Sequence, residues 1–229
     1  MSLSLVLSLV RSASPDWQAC VDLIRSKYAA HFRADISPTP DLFVAVRREP
    51  YEPYEDDAAA PQVLACAGVY FGSPEPFFSE RYLDVPVEVA ARAALSGVID
   101  RTRIVEIGGL ATLNPGPGRE LIRLTPLLIW CLGMQCILCT ATSSLRKTFD
   151  RLDIPFRSLA KAEAGRLTAA ELARWGSYYD SDPQVGVIPV AELAPLFRSS
   201  TGRYSFSDPE VRLLRDGSVV TAQEQRAGH

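Results

Sequence analysis

Glu106 is the first residue whose setting could do chemistry, because it lies between Val105 and Ile107 in an otherwise apolar run. A carboxylate on a central strand is stripped of water if its face is closed. Its pKa then rises toward that of a general base able to take a proton from an amine. The alternative is a carboxylate on an open sheet face, paired with an arginine such as Arg103 or Arg47. The second candidate is Gly116-x-Gly118, followed by Arg119 and Arg123 one helical turn apart. Glycines let the backbone approach a ligand, and the first N–H groups of a helix point at anions such as a pyrophosphate. The arginines could add charge-assisted bonds to the same anion. The same string also reads as a Gly/Pro-rich turn with ordinary surface arginines, since it has neither a P-loop GK[ST] nor a third fingerprint glycine. Trp175, Tyr178 and Tyr179 form an aromatic cluster, suited to core packing or a pocket wall. A tyrosine there could still protonate a leaving thiolate. There is no GxSxG, and His31 is the only histidine besides the terminal His229, so a hydrolytic triad is not expected.

These residues need a sheet to hold them. Leu3, Leu5, Leu7 and Leu9 alternate with serines in the first strand, and Pro15 and Asp16 open a helix through about Phe32. Strands follow at Leu42 to Arg47 and Val63 to Phe71, separated by a solvated loop from Glu49 to Pro61. Gly68 within a strand marks a bulge or a close backbone approach. Val87 to Leu95 reads as a helix and Arg101 to Thr112 as a strand. A turn from Asn114 to Gly118 leads into a helix from Arg119 to Leu132, then a buried strand 135–141, a helix from Ser143 to Leu152, and strands near Phe156 to Leu159 and Gln184 to Val190. The order predicts a mixed α/β domain around one central sheet over residues 1–198, with a polar extension at 199–229.

The composition excludes several classes. With 24 Lys+Arg against 27 Asp+Glu, the net charge of −3 leaves no basic surplus to neutralise the phosphates of a nucleic acid. Leu124 to Leu145 carries no charge, but Pro126, Gly133, Gln135 and its Ser/Thr residues split it into a buried helix and a buried strand, so no stable membrane insertion is expected. The apolar start, Met1 to Val10, has no basic residue before it and no clear cleavage site. The five cysteines are odd in number and lie in apolar contexts, and Cys136-x-x-Cys139 has no second ligand pair. A reduced, cytoplasmic protein without a metal site is therefore expected.

Several strings resemble the thermostable haemolysin family: FFSERYLD from Phe77 to Asp84 with PVE at Pro86 to Glu88, VEIGGLA from Val105 to Ala111, TATSSLRKTFDRLDIP from Thr140 to Pro155, and WGSYY from Trp175 to Tyr179. That family is similar in architecture to the GCN5-related N-acetyltransferases and to acyl-homoserine-lactone synthases. The superfamily's pyrophosphate loop, (R/Q)-x-x-G-x-(G/A), falls on Leu113 to Gly118, with both glycines matched and Leu113 in place of the Arg/Gln. Its usual acid tyrosine falls on Phe149. The Glu of the lactone synthases' E-x-x-R matches Glu106, with Gly109 in place of the arginine, and their Arg-x-x-Phe loosely matches Arg25 to Tyr28.

The resemblance implies a mixed-sheet acyltransferase that moves an acyl group from acyl-CoA or an acyl-carrier-protein thioester to a small amine acceptor. Glu106 would then be the base and Tyr178 a proton donor. Leu110, Ala111, Thr112, Asn114, Gly116, Gly118, Arg119, Arg123 and Thr142 would hold the donor, and Arg25, Tyr28 and Trp175 the acceptor. Two other readings remain open: the same fold serving another group transfer or a binding role, for example with S-adenosylmethionine, and a membrane-acting protein.

Overall fold

The computed structural model describes residues 5–48, 63–95 and 97–199, together with two short C-terminal strands. The chain forms two compact units, Met1–Phe197 and Arg198–His229. The first contains a seven-stranded mixed sheet. Strands β1 (Leu5–Val10), β2 (Leu42–Arg48), β3 (Val63–Phe71) and β4 (Ile104–Thr112) run as an antiparallel meander. Strand β4 pairs in parallel with β5 (Cys136–Ala141), and a parallel neighbour needs a crossover, here helix α4 (Pro115–Cys131). The sheet closes with β7 (Gln184–Pro189) and β6 (Arg157–Lys161), in the order β1-β2-β3-β4-β5-β7-β6.

Both faces are covered, as the near-continuous apolar strands require. Val44 and Val46 of β2 face α4 and α5 (Ser143–Arg151), packing with Leu121, Ile129 and Phe149. Their neighbours Phe43 and Ala45 point the other way, onto Cys20, Leu23 and Ile24 of α1 (Asp16–Phe32). A third cluster joins Phe77, Tyr82 and Val87 to Cys136, Leu138 and Val187 on the far half of the sheet. Cys136 and Cys139 thus lie on opposite faces of β5 and belong to different clusters. Cys131, expected in an apolar setting, is exposed at the end of α4.

The sequence and the structure part at five places. Val87 to Leu95 is two single turns, α2 (Val87–Ala90) and α3 (Arg92–Leu95), and Arg101–Arg103 is a 3-10 turn before β4. Helix α4 begins at Pro115, so the Pro-Gly-Pro-Gly string is its first turn and not a preceding loop. Proline is suited to that place because the first helical N–H groups have no intrahelical partner to lose. An additional helix, α6 (Ala169–Trp175), follows the capping box of Thr168 and Glu171, and α7 (Ala194–Ser199) follows β7. Among the described residues no helix is long and apolar enough to cross a membrane, and the charge-free window is divided between α4 and β5. The second unit carries a hairpin of β8 (Leu214–Arg215) and β9 (Ser218–Val219). The loop expected from Glu49 to Pro61, and residues 200–229 of the expected extension apart from this hairpin, lie outside the described residues.

Candidate active site

Strand β4 holds to β5 only at Ile104, Val105 and Glu106, and then leaves it. The cause lies on its other edge. Gly108 stands opposite Gly68 and Ala111 opposite Cys66, so Gly109 and Leu110 together face Ala67 in a bulge. Gly109 has φ +63°, a conformation that side chains strain. Gly68, expected to mark a bulge, lies at this one, but the extra residue is on its partner strand. The wedge so opened holds an apolar cavity of about 150 Å³, lined among others by Ile107, Leu110, Ile122, Pro126 and Phe149, with Tyr28, Thr140, Thr142 and Tyr178 at its polar points. A wider depression of about 570 Å³, bordered by Glu106, Tyr70, Phe78, Arg81, Glu171 and Trp175, lies alongside. Gly108 and Gly109 border both.

Glu106 is only 6% exposed and has no arginine partner among the described residues; Arg47 pairs with Asp16, and Arg103 donates to the Gly133 carbonyl. Its carboxylate is instead held by the 3-10 turn Phe78–Tyr82. The Phe78 N–H donates to Oε2 at 2.9 Å, and the Ser79 N–H and hydroxyl donate to Oε1 at 3.0 and 2.5 Å. Burial pushes the carboxyl above its usual range, the Glu80 charge adds to that push, and the bonds from Ser79 and Phe78 oppose it. The Ser79 hydroxyl also meets the Thr140 hydroxyl, 2.7 Å away on β5.

The turn has its own clamp. Glu80 accepts from the Phe77 and Val87 N–H groups at 2.7 and 2.9 Å and from both terminal nitrogens of Arg101 at 3.0 and 2.5 Å. Arg101 also donates to Glu88 and to the carbonyls of Ser73 and Glu75, and lies over the Phe77 ring. Sequence reasoning does not reach Ser79, Glu80, Arg101 or Thr140, because their side-chain partners lie 13 to 61 residues away.

The expected site residues divide. Tyr28, Leu110, Thr142 and Tyr178 border the cavity, and Trp175 the wider depression. Tyr28 stacks on Tyr178, and Trp175 meets both rings. Tyr178 is buried, which pushes its pKa well up, and its hydroxyl donates to the Thr140 carbonyl at 3.3 Å. The Thr142 hydroxyl caps α5 by accepting the Leu145 N–H at 3.3 Å. Arg25 is exposed on α1 and lines neither space.

The string from Ala111 to Arg123 lies beyond the cavity. Ala111 packs into the α1 face, and the Thr112 hydroxyl donates to the carbonyls of Asn114 and Leu64. Asn114 caps α4 without a side-chain bond. Gly118 is explained by packing, since a Cβ there would meet the Thr112 side chain at 2.9 Å, whereas Gly116 faces open space. Pro115 and Pro117 have no N–H, and that of Gly118 donates weakly to the Asn114 carbonyl at 3.4 Å, so the turn offers fewer amides to an anion than its position promises. Arg119 is exposed; Arg123 is half-buried, with its Nε unpartnered among the described residues. No group of histidine, cysteine and acidic residues fit to hold a metal occurs among the described residues.

A meander joined by one parallel crossover, with the fourth strand bulged and splayed from the fifth, defines a GCN5-related N-acetyltransferase-like fold. Solved structures of that architecture are similar to this chain. FeeM, an N-acyl amino acid synthase from uncultured soil microbes, aligns with a TM-score of 0.55 at 14% identity, covering 90% of this chain and 100% of its own. MesI, a CoA-dependent acyl-homoserine lactone synthase, gives 0.51 at 13% identity with 88% and 97% covered, and the AHL synthase LasI gives 0.51 at 9% with 82% and 91%. The protein belongs to the thermostable hemolysin family, whose model matches residues 10–193. No curated protein matches its sequence.

Proposed function

We propose that the protein is an acyltransferase that moves an acyl group from a thioester in the β4–β5 wedge to an amine seated beside Glu106. The observation that carries this reading is the border shared at Gly108 and Gly109, where an apolar cavity meets the chamber of a buried, raised-pKa carboxylate. In the reaction a neutral amine attacks the thioester carbonyl and forms a C–N bond, with Glu106 taking the amine proton. The oxyanion of the tetrahedral intermediate needs a backbone N–H, and the bulge beside Leu110 is where β4 is released from its ladder. Collapse of the intermediate breaks the C–S bond and releases the thiol.

The donor's phosphate end belongs at the start of α4, with Gly116, Arg119 and Arg123. Two prolines in that turn leave few amides, which favours a donor with one phosphate, the phosphopantetheine of an acyl carrier protein, over the diphosphate of coenzyme A. Trp175 supplies an aromatic wall for the acceptor side, while Tyr28 lines the thioester's cavity.

The test is incubation with matched acyl-CoA and acyl-carrier-protein donors and a panel of amines, reading thiol release and amide mass. Glu106→Gln should slow transfer by about 10²-fold or more and leave the thermal shift caused by the donor nearly unchanged. Neither thiol release nor amide from any donor would overturn the reading.

A further inference from the structure

Transfer moves one proton from nitrogen to sulfur, and in this fold the two lie on different sides of an opened strand. Glu106 borders the wider depression and not the cavity; Thr140 borders the cavity and not the depression. Ser79, with no exposed surface, joins them: its hydroxyl is 2.5 Å from Glu106 Oε1 and 2.7 Å from the Thr140 hydroxyl. Anchoring does not require this hydroxyl, since the carboxylate already receives the N–H groups of Phe78 and Ser79. Of the other hydroxyls bordering the cavity, those of Thr125 and Tyr178 are spent on the backbone carbonyls of Leu121 and Thr140; Tyr28 and Thr142 also border it, but among the described residues Thr140 is the one that meets the Ser79 hydroxyl.

We propose that Ser79 and Thr140 form a two-hydroxyl relay that carries the proton taken up by Glu106 to the departing sulfur. This rests on the acyl-transfer reading. Before reaction the chain runs from Thr140 through Ser79 to the carboxylate, each hydroxyl donating toward Glu106. When Glu106 has taken the amine proton, it donates to Ser79 Oγ, Ser79 donates to Thr140 Oγ1, and Thr140 gives its own proton to the thiolate. The amine nitrogen has lost one proton, the sulfur has gained one, and Glu106 is again a carboxylate. The two hydroxyls turn toward the sulfur once Glu106 is protonated, and the hops leave them donating toward Glu106 again. Base and acid are in this way one group read from two sides.

The discriminating experiment varies the leaving thiol. Wild type, Ser79→Ala, Thr140→Val and Thr140→Ser are assayed with an alkyl thioester and with an aryl thioester of the same acyl group, whose thiolate needs no proton to depart. Ser79→Ala and Thr140→Val should be slowed by about 10²-fold with the alkyl donor, the magnitude of general acid catalysis, and far less with the aryl donor, while Thr140→Ser stays near wild type. A penalty equal for both donors would overturn the relay, as a structural defect does not depend on the leaving group. So would the same leaving-group pattern appearing in Tyr178→Phe and not in Ser79→Ala. A wild-type protein that transfers from neither donor would overturn the acyl-transfer reading and the relay with it.

Discussion

Replacing Glu80 by glutamine tests the clamp that holds the amides of Phe78 and Ser79 under Glu106. Its side chain is 8% exposed and accepts four bonds: two from backbone N–H groups and two from Arg101, itself 18% exposed. Glutamine keeps one acceptor oxygen and turns an NH2 group toward the remaining donors. Each carboxylate oxygen accepts one backbone N–H and one Arg101 nitrogen, so two charge-assisted bonds are lost, and Arg101 keeps one bond to residue 80 beside Glu88, 3.1 Å away, and two carbonyls. At about 1.5–3 kcal/mol for a bond to a charged group, less a discount for the partly exposed arginine, the cost is about 3 kcal/mol. For a domain of this size that lowers Tm by about 6–12 °C.

Thermal unfolding followed by circular dichroism measures this directly, with Glu88→Gln as the control. Glu88 is 31% exposed and its bond to Arg101 is long, so that change should cost under about 1 kcal/mol. The pH dependence gives a second reading. The Glu80 carboxyl is held below its usual range: burial would raise it, but the bonds from Arg101, Val87 and Phe77 prevail. A lowered folded pKa contributes stability above the unfolded value, near 4.3, and loses it as pH falls through the folded one. The gap between wild type and Glu80→Gln should therefore be full near neutrality and narrow below about pH 4. A Tm within about 2 °C of wild type, or an equal loss in Glu88→Gln, would refute the clamp.

Other predictions concern the base and the start of α4. Because burial raises the Glu106 pKa, transfer should rise with pH through an apparent pKa above the ordinary 4.3 or so, and this limb should vanish in Glu106→Gln. Stability runs the opposite way: the raised carboxyl favours folding most where it is protonated, below its unfolded pKa, and that contribution fades as pH rises through the folded value. Chemical denaturation of both proteins from pH 4 to 8 reads the difference. Gly118→Val forces a branched side chain onto Thr112, where even a Cβ would be 2.9 Å away, and should cost about 1–3 kcal/mol and weaken donor binding, as read by unfolding and donor thermal shift. Gly116→Ala meets nothing within 4 Å and should be neutral or slightly stabilising in unfolding.

The order of elements from β1 to α5 is legible in the sequence because each strand and helix carries its own periodicity: alternation in Leu5–Leu9, helical spacing in Cys20–Tyr28, apolar runs in Val63–Phe71 and Cys136–Ala141. Glu106 stands out for the same reason, as a lone acid in such a run. The start of α4 does not, since Pro-Gly-Pro-Gly suits a turn as well as a first helical turn, and only the bond from Gly118 N–H to Asn114 and the fit on Thr112 decide between them. Thr168-x-x-Glu171 does carry a local signature of α6, the capping box. What holds Glu106 carries none: two of its donors are backbone amides, which every sequence has.

That choice of partner has a chemical consequence. An arginine against Glu106 would stabilise the anion and hold the carboxyl down, as the Arg101 pair does for Glu80, the residue after Ser79. Amide and hydroxyl donors orient the carboxylate without a full opposing charge, so burial prevails and the group stays ready to accept a proton. The arginine that could have neutralised it is set one turn back, fixing the backbone of the turn instead of the base itself. Two glutamates on one small assembly are thereby driven in opposite directions, one to remain charged and the other to take up and release a proton. Glu80→Gln should then act on Glu106 at a distance. Removing the Glu80 charge takes away a small upward push on Glu106, but the loosened Phe78 and Ser79 N–H groups are the larger causes, so the opposition to burial weakens on balance and the acid limb of the rate profile should move to higher pH. A lower Tm with an unmoved limb would separate the stability of the turn from the tuning of the base.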